Sequence, residues 1–519
     1  MSSSWKRRGK QLMTAVIISF VSLLLLMPSH ADPAAQAGDE HAQEQRLAAI
    51  KQYVHAQMLA SNIPGLSLAM VHKGKIVLEE GFGYADLGAQ KPVTSRTLFE
   101  LGSTSKAFTG LAVHLLEEKG LLRRSDPITS YIPWLRMTYN GKPAIITLHQ
   151  LLHHTSGIPF ESIGRIPASE AETAMEQTVR ALVDQPLARL PGSSFEYATI
   201  NYDVLGFIIE KASGLPYEQF MRQSVFEPLG MTSTVAATVP VYAQDMAAGH
   251  KVFFGRQLNY QPPIYRGNTP AGYIVSSARD MARWMLFQLQ DITLGGIGPS
   301  LITASHEPDR TVAPDGDGSY YASGWSVYRD KQEISHAGNN PAFSSFVALY
   351  PAARTGIAVL MNTNSEQGAH MGRAIMDIWS GKHAELADRS TNGFLFVDQV
   401  AMWITGLWGG WSLVLLFLTG KGLIDIRNRR RRRVPYNRKQ GFLLGMHGLF
   451  VVILGITYIL LLHQLTRGLP WEFVIVWSPA SLAWAAYGSM VPGVLYLLYA
   501  FLLVTFRRDN SIITKTMQD

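Results

Sequence analysis

Cysteine is absent from this chain of 519 residues, and charged side chains make up only 16% of it. The first absence excludes disulfides, thiolate metal sites, cysteine nucleophiles and lipoprotein anchoring. The charged fraction is well below the about 25% of an ordinary soluble protein. Together with 47% apolar residues, it indicates that part of the chain lies in lipid. The same composition excludes a disordered, collagen-like or coiled-coil chain.

Acidic residues are scarcest where basic residues are most concentrated. The net charge is +7, and nine lysines and arginines lie between Lys421 and Lys439 against the single acid Asp425. Because this segment separates two apolar stretches, membrane orientation explains it better than nucleic-acid binding does. We therefore expect a lipid bilayer as a partner and no nucleic acid.

The N-terminus has the pattern of a secretory signal. A basic segment, Lys6–Lys10, precedes an apolar segment, Leu12–Met27, and the small-residue site Ser29–Ala31. We predict a signal peptide over residues 1–31 and a linker over 32–45; an uncleaved anchor is the alternative. Either way, the domain that follows is exported.

Residues 46–386 have the mixed pattern of an α/β domain. Helical spacing covers Gln45–Ala60, and a helix over Thr104–Lys119 ends at Gly120. Strand-like runs near both ends of the domain predict a sheet in which the terminal strands pair. These runs are Leu66–Val71, Lys75–Glu80, Glu333–Ala337, Phe343–Tyr350 and Gly356–Asn362.

The C-terminal part predicts a three-helix transmembrane domain over residues 400–506, after a linker at 387–399. The stretch Phe473–Phe506 is uncharged, but Pro479 and Pro492 interrupt it. We therefore expect an interfacial or re-entrant segment to about Leu482 before the last helix. The predicted helices are about 400–418, 441–462 and 484–506, followed by a cytoplasmic tail at 507–519.

The basic residues also predict the orientation of this domain. Lysines and arginines favour cytoplasmic loops, so the arginine-rich loop and the Arg507–Arg508 end should both be cytoplasmic. The opposite loop holds only Arg467 and Glu472. The chain is thus expected to be a multi-pass protein of the inner membrane, with its large domain on the periplasmic or extracellular side.

The segment Ser103-Thr104-Ser105-Lys106 at the start of the predicted helix is an S-x-x-K motif. A serine needs a base to become a nucleophile, and a lysine three residues later lies on the same helical face. Backbone N–H groups at the helix start could stabilise an oxyanion. The motif also arises by chance, as Ser3 and Lys6 show, so Ser103 could merely cap a helix.

Two further segments could bring polar groups to such a serine. Tyr197 lies in a turn before a predicted helix, and His336 opens His-Ala-Gly, ending at Gly338, at the end of a predicted strand. Each could instead be a structural residue. The adjacent pair His153-His154 lacks a carboxylate at ligand spacing, so we expect a scaffold role and no metal site.

In this order, these motifs resemble the serine β-lactamase-related family of the class C type, over about Arg46–Asp377. A closer resemblance is to the membrane-anchored prodrug-activating peptidases of nonribosomal peptide and polyketide pathways, the colibactin-maturation peptidase type. It covers Glu100–Gly110, Tyr197–Gly206, Ala322–Trp325 and the tail. The resemblance implies a β-lactamase/transpeptidase-like α/β fold, an antiparallel sheet flanked by helices plus an all-helical region.

The resemblance also implies roles for individual residues. Ser103 would be the nucleophile, Lys106 and Tyr197 would share the acid and base work, and no cofactor would be needed. The backbone N–H groups of Ser103 and Asn339 would form the oxyanion hole. Which of Lys106 and Tyr197 is the base stays open.

Two departures from the family pattern concern the substrate. The tyrosine motif is Tyr197-Ala198-Thr199 rather than Tyr-x-Asn, and the strand motif is His336-Ala337-Gly338 rather than Lys-Thr-Gly. A histidine is mostly neutral at pH 7, so a carboxylate-bearing substrate is disfavoured. The peptidases that this chain resembles remove an N-acyl-D-asparagine cap, and the resemblance implies amide recognition by Glu100, Thr199, Asn268 and Asn340. It also leads us to expect a histidine at position 268, where this chain has an asparagine.

Three functions therefore stay in competition. The first is an exported serine peptidase that matures an acylated precursor, which implies an exporter that delivers it. The second is a D,D-peptidase or esterase of the same fold. The third is a non-catalytic sensor acylated at Ser103. The sequence gives neither the natural product nor the oligomeric state.

Overall fold

The computed structural model describes residues 33–236, 245–293, 298–387 and 392–508. The predicted signal peptide and residues 509–519 lie outside the described residues. Helices and strands are numbered here in chain order. The helices are α1 Pro33–Ser61, α2 Ser105–Glu118, α3 Leu148–Leu152, α4 Ala174–Arg180, α5 Ile200–Ser213, α6 Tyr217–Met221, α7 Thr269–Gly272, α8 Ala278–Gln288, α9 Pro299–Ser305, α10 Gln367–Trp379, α11 Gly393–Arg427, α12 Arg438–Leu465, α13 Trp471–Trp477, α14 Ala480–Gly488 and α15 Met490–Thr505.

An antiparallel sheet of eight strands, in the order β10-β11-β12-β13-β14-β1-β2-β3, forms the centre of the candidate catalytic domain, residues 46–386. The predicted pairing of the terminal strands is confirmed, since Ala69 in β1 faces Ala358 in β14. The strands are β1 Gly65–His72, β2 Lys75–Asp86, β3 Lys91–Pro92, β4 Phe99–Glu100, β5 Thr138–Tyr139, β6 Lys142–Pro143, β7 His250–Phe253, β8 Arg256–Asn259, β9 Val275–Ser276, β10 Tyr320–Tyr321, β11 Ser326–Tyr328, β12 Glu333–Asn340, β13 Phe343–Tyr350, β14 Thr355–Met361, β15 Arg431–Arg433 and β16 Phe506–Arg508.

Helices cover both faces of this sheet, as the expected β-lactamase-like fold requires. On one face, α1 and α10 pack on alternate strand residues, with Val54 and Ile375 buried against Leu68. On the other face lie α8 and the helical region around α2 and α5, which contains the larger core. Twelve of the fourteen residues of α2 are buried, so it is a central helix. Its packing fixes the position of the side chains in its first turn, which include Lys106.

The helix at the N-terminus of the domain is longer than predicted. It begins at Pro33, so the stretch 32–45 interpreted as a linker is largely helical. Alanine, glutamine and glutamate dominate this stretch, and their high helix propensity explains the extension. Likewise, α11 begins at Gly393, inside the predicted linker 387–399, because the Asn392 side chain caps it.

Three helical segments of the tail are long and apolar enough to cross a membrane: Gly393–Arg427, Arg438–Leu465 and Ala480–Thr505. Each is longer than its predicted counterpart. The last one is divided at Ser489, three residues before Pro492. The predicted interfacial segment contains the short helix α13, which ends before Pro479. In addition, β15 pairs with β16, so the arginine-rich loop and the end of the last helix lie together.

The tail is hydrogen-bonded to the catalytic domain through Asp398, which is 2% exposed. Its carboxylate accepts bonds from the backbone N–H groups of Phe254 (2.8 Å) and Gly255 (2.7 Å) and from the Ser481 hydroxyl (2.5 Å). Phe254 and Gly255 form the two-residue turn between β7 and β8, and both have positive φ. One side chain thus joins two tail helices to a turn of the catalytic domain.

We predict that Asp398→Ala lowers the stability of the domain by about 3 kcal/mol, because it leaves the buried Ser481 hydroxyl and two backbone N–H groups without their acceptor. In thermal unfolding of the detergent-solubilised full chain, the midpoint should fall by about 5 °C. Glu472→Ala, which removes an exposed carboxylate of α13, is the matched control and should leave the midpoint unchanged. An unchanged midpoint for Asp398→Ala would mean that the two parts are not coupled through this residue.

Candidate active site

Ser103 lies in a single 3₁₀ turn, Gly102–Thr104, that leads directly into α2. Gly102 has a φ of +55°, and a Cβ on it would lie 2.5 Å from the backbone nitrogen of Asn339. Glycine is required on both counts, since an L side chain would be strained at this φ and would have no room. The serine hydroxyl is therefore presented on a backbone turn in close contact with strand β12.

Lys106 follows Ser103 by one helical turn, and its side chain is fully buried. Its Nζ donates hydrogen bonds to Ser103 Oγ at 2.9 Å and to the carbonyl oxygen of Ala271 at 2.8 Å. Burial lowers the pKa of Lys106 to about 7, and the charge of Asp203 opposes this shift. A neutral amine is therefore accessible near pH 7 within hydrogen-bonding distance of the serine, as general-base catalysis requires.

Tyr197 lies on the other side of the serine. The Nζ of Lys106 is 5.1 Å from the centroid of its ring, and its hydroxyl interacts with Ser103. Burial raises the pKa of Tyr197, and the interaction with Ser103 offsets this only in part. Near pH 7 Tyr197 therefore carries its proton, whereas Lys106 can lose its own.

His154 is the scaffold for Tyr197. Its ring is tilted by 35° against the tyrosine ring, with the centroids 4.3 Å apart, and its Nδ1 accepts hydrogen bonds from the side chain of Asn201 (2.9 Å) and the backbone of Ala198 (3.2 Å). Burial lowers the pKa of His154 well below 6.5, so the ring is neutral. In the part of the chain that the structure describes, no three His, Asp or Glu side chains are grouped to hold a metal ion.

An open strand edge faces Ser103. Strand β11 pairs with β12 only as far as Ser335, which leaves the edge of β12 from His336 onward without a β11 partner. A Cβ on Gly338 would lie 3.0 Å from the backbone nitrogen of Ser103, so only glycine permits this approach. A Cβ on Gly102 would in turn lie 2.5 Å from the backbone nitrogen of Asn339. The two backbone segments whose N–H groups are expected to bind an oxyanion are therefore in close contact.

His336 supplies no positive charge to this edge. Its Nδ1 donates to the Ala337 carbonyl (2.7 Å), and its Nε2 accepts from the Tyr321 hydroxyl (2.9 Å). Burial and the nearby Lys106 lower the pKa of His336 to about 3. Arg373 also lines the cavity, but its guanidinium is bound to Glu333 at 2.9 Å.

Two buried asparagines present their carboxamide oxygens to one place in the site. Asn268 Nδ2 donates to Asp203 Oδ2 (2.7 Å), and Asn340 Nδ2 donates to Glu100 Oε2 (2.6 Å). Carboxylate oxygens accept, so each acid fixes the orientation of its amide. A Cβ on Gly272 would lie 3.2 Å from Asn268 Oδ1 and 3.5 Å from Asn340 Oδ1. Both oxygens are therefore free to face a donor beside Gly272.

The structure brings the candidate substrate residues together, with one difference in how they act. Thr199 lines the same cavity as Ser103, Asn268 and Asn340. Glu100 acts through Asn340, and burial raises its pKa to about 7. Sequence reasoning missed Asp203. A single acid in the otherwise apolar and buried face of a helix was the signal that could have found it.

The tail forms one wall of the cavity over the serine. This cavity has a volume of about 550 Å³. Aromatic side chains of the catalytic domain line it, among them Phe160 and Phe195, and so do Phe394 of α11 and Phe473 and Trp477 of α13. The sequence predicted an anchor in the membrane but did not predict that the anchor would contribute side chains to the site.

Known proteins share this domain. The sequence profile of the family named Beta-lactamase matches residues 48–378. "Protein flp" of Staphylococcus aureus (strain COL) is 33% identical over 305 residues, which are 59% of this chain and 61% of that protein. This chain thus matches about six tenths of the length of that relative. The "Putative penicillin-binding protein PbpX" of Bacillus subtilis (strain 168) is 30% identical over 59% of this chain and 71% of its own length.

A solved structure shows the same fold. The octameric penicillin-binding protein homologue from Pyrococcus abyssi superposes with a TM-score of 0.59 and 25% identity, over 69% of this chain and 81% of its own. The match to the family extends over more than half of the chain and includes the S-x-x-K turn, the tyrosine and the open strand edge. The chain therefore belongs to the Beta-lactamase family.

Proposed function

We propose that this protein is an exported, membrane-anchored serine peptidase that hydrolyses the amide between an N-acyl-D-asparagine cap and the rest of an acylated precursor. The observation that carries the proposal is the pair of carboxamide oxygens, Asn268 Oδ1 and Asn340 Oδ1, held beside the nucleophile. The resemblance to the prodrug-activating peptidases in the S-x-x-K region, the tyrosine region and the tail supports the same substrate class.

Catalysis follows from the protonation states of three side chains. Ser103 Oγ attacks the scissile carbonyl carbon while its proton passes to the neutral Nζ of Lys106, 2.9 Å away. The oxyanion is stabilised by the N–H groups of Ser103 and Asn339. Tyr197, which retains its proton, passes a proton to the leaving amine and is reprotonated from Lys106. Water then cleaves the acyl-enzyme by the same steps in reverse order.

Recognition of the side-chain amide requires acceptors for its two N–H groups. Asn268 Oδ1 and Asn340 Oδ1 supply them, and neither can turn away without breaking the bond to its carboxylate. An aspartate side chain would place acceptors against acceptors, and an apolar side chain would leave both oxygens unpaired. Both mismatches are costly in a buried site.

The charges of the cavity fit a substrate without a free carboxylate beside the scissile bond. His336 is neutral, and Arg373 is occupied by Glu333. Recognition of a C-terminal carboxylate, as in a D,D-carboxypeptidase, would need a cation at this strand edge. A neutral site also suits an ester, so an esterase activity of the same machinery is the second candidate.

The acyl chain of the substrate has an apolar wall to follow. Phe394 in α11 and Phe473 and Trp477 in α13 belong to the tail, and they line the cavity that contains Ser103. A fatty acyl group partitions into the bilayer, so its carbonyl end would reach the serine along these side chains. The tail then contributes to substrate binding as well as to anchoring.

We predict that kcat/KM rises with pH through about 7, because Lys106 must lose its proton before it can accept one from Ser103. An ordinary lysine would place this rise near 10. The measurement is the pH dependence of kcat/KM between pH 5 and 10 on any substrate that the enzyme cleaves. Lys106→Arg, which cannot deprotonate, and Ser103→Ala should both be inactive although folded. A rise centred near pH 10 would contradict the role of Lys106.

We predict that acyl-D-Asn amides are hydrolysed faster than acyl-D-Ala and acyl-L-Asn amides, by up to about 10⁴-fold in kcat/KM. Gly272→Ala should narrow the gap between D-Asn and D-Ala, since its methyl group would occupy the point between the two amide oxygens. Asn340→Leu should narrow it too.

Asn259→Leu is the matched control, because Asn259 is exposed and lies outside this cavity. It should keep the preference for D-Asn. Equal rates across the three substrates in the unmodified enzyme would defeat the proposed peptidase and leave a serine hydrolase of other specificity.

We predict that the catalytic domain is exported and that the arginine-rich loop is cytoplasmic. A reporter fused after Leu386 or after Gly468 should be active outside the cytoplasm, and one fused after Arg433 should be active inside. The basis is the concentration of arginines between α11 and α12. The reverse activity pattern would overturn this topology.

A further inference from the structure

Asp203 is a buried acid that lies in the site but has no role in the reaction steps above. It is fully buried in the first turn of α5, facing α2 and α7. Its Oδ2 accepts from Asn268, and no donor among the described residues is in hydrogen-bonding geometry with its Oδ1. An acid in this setting is destabilising unless it interacts favourably with a charge.

Lys106 is the charge that faces it. Ala271 lies between the two groups. Its carbonyl oxygen accepts a hydrogen bond from Lys106 Nζ at 2.8 Å, and its N–H favours the charged form of Asp203, which lowers the pKa of that carboxyl group. Burial lowers the pKa of Lys106 and raises that of Asp203, and the attraction between the two opposes both shifts. Neither group is therefore independent of the other.

The histidines and tyrosines around this pair are neutral near pH 7, and Glu100, whose pKa burial raises to about 7, bonds to Asn340. Burial lowers the pKa of the two histidines that face Lys106 and raises the pKa of the tyrosines near both groups. Asp203 is thus the acid that acts on the amine. These neighbours are His154, His336, Tyr197, Tyr202, Tyr217 and Tyr273.

We propose that Asp203 is a positioning residue for catalysis, which keeps Lys106 basic enough to hold the serine proton. Burial alone would make the lysine a weak base, unable to retain the proton that Ser103 releases. Ser103 would then form its bond to the carbonyl carbon less readily, since its O–H bond has to break in the same step. The partner acid restores the basicity that burial removes.

This proposal deepens the hydrolytic mechanism and rests on it, but it does not depend on the D-asparagine specificity. The test therefore uses a fluorophosphonate, which labels Ser103 without a cognate substrate: the Oγ–P bond forms, fluoride leaves, and the serine proton passes to Lys106. The rate of labelling is measured from pH 5 to 10 in the full chain in detergent, for the unmodified protein and for Asp203→Asn.

Asp203→Asn should lower the rate at its plateau by about 10-fold or more. It should also move the midpoint of the acid limb to lower pH by about one unit, because the charge that favours protonated Lys106 is lost. The midpoint does not depend on how much protein is folded, so poor folding of the variant cannot imitate the shift.

Asp280→Asn is the matched control. Asp280 is also buried, also has an unpaired Oδ1, and its pKa is also raised by burial, but it bonds to Thr234 and lies outside the cavity over Ser103. Its midpoint should not move. An unmoved or raised midpoint in Asp203→Asn would overturn the proposal. Equal rates on acyl-D-Asn and acyl-D-Ala amides in the unmodified protein, together with the expected shift in Asp203→Asn, would instead overturn only the proposed substrate.

Discussion

The 2.9 Å contact between Lys106 Nζ and Ser103 Oγ depends on an amine that is wholly removed from solvent. Such burial is costly for an ammonium group, and it is also what makes the neutral base accessible near pH 7. Much of the domain maintains this arrangement. The central helix α2 places the lysine, α5 and α7 cover it, and a glycine turn holds the serine against β12.

The tail extends this arrangement toward the membrane. Asp398 binds the turn between β7 and β8, and the Nζ of Lys251, at the start of that hairpin, donates to the carbonyl of Ile475 at 2.6 Å. Ile475 belongs to α13, the helix that also carries Phe473 and Trp477 into the cavity. The same short helix thus contacts the hairpin and lines the cavity. A shift of α13 against the hairpin would therefore also move the side chains that line the cavity.

The sequence was sufficient where local patterns carry the information. Strand alternation and a helix with apolar spacing predicted the sheet, the central helix and three long apolar tail helices, and the structure has all of these. The S-x-x-K spacing placed Ser103 and Lys106 on one helical face. Local sequence patterns did not predict contacts between distant segments. Asp203 lies among apolar residues, and only the fold brings it to Asn268, 65 positions away. The aromatic side chains of the tail reach the cavity only because the two domains contact each other, and the periodicity of the sequence does not predict that contact.

The two carboxamides and the two acids behind them connect catalysis with specificity. Asp203 binds Asn268 through one oxygen and acts on Lys106 through its charge, so in the proposed mechanism a single side chain would serve both recognition and proton transfer. Glu100 orients Asn340 in the same way that Asp203 orients Asn268. A histidine at position 268 would also pair with an acid, but it would present a ring instead of a carboxamide oxygen. The asparagine gives the site a second acceptor of the same kind as Asn340. In a cavity whose histidine is neutral and whose arginine is paired, hydrogen-bond matching rather than net charge is left to discriminate among substrates.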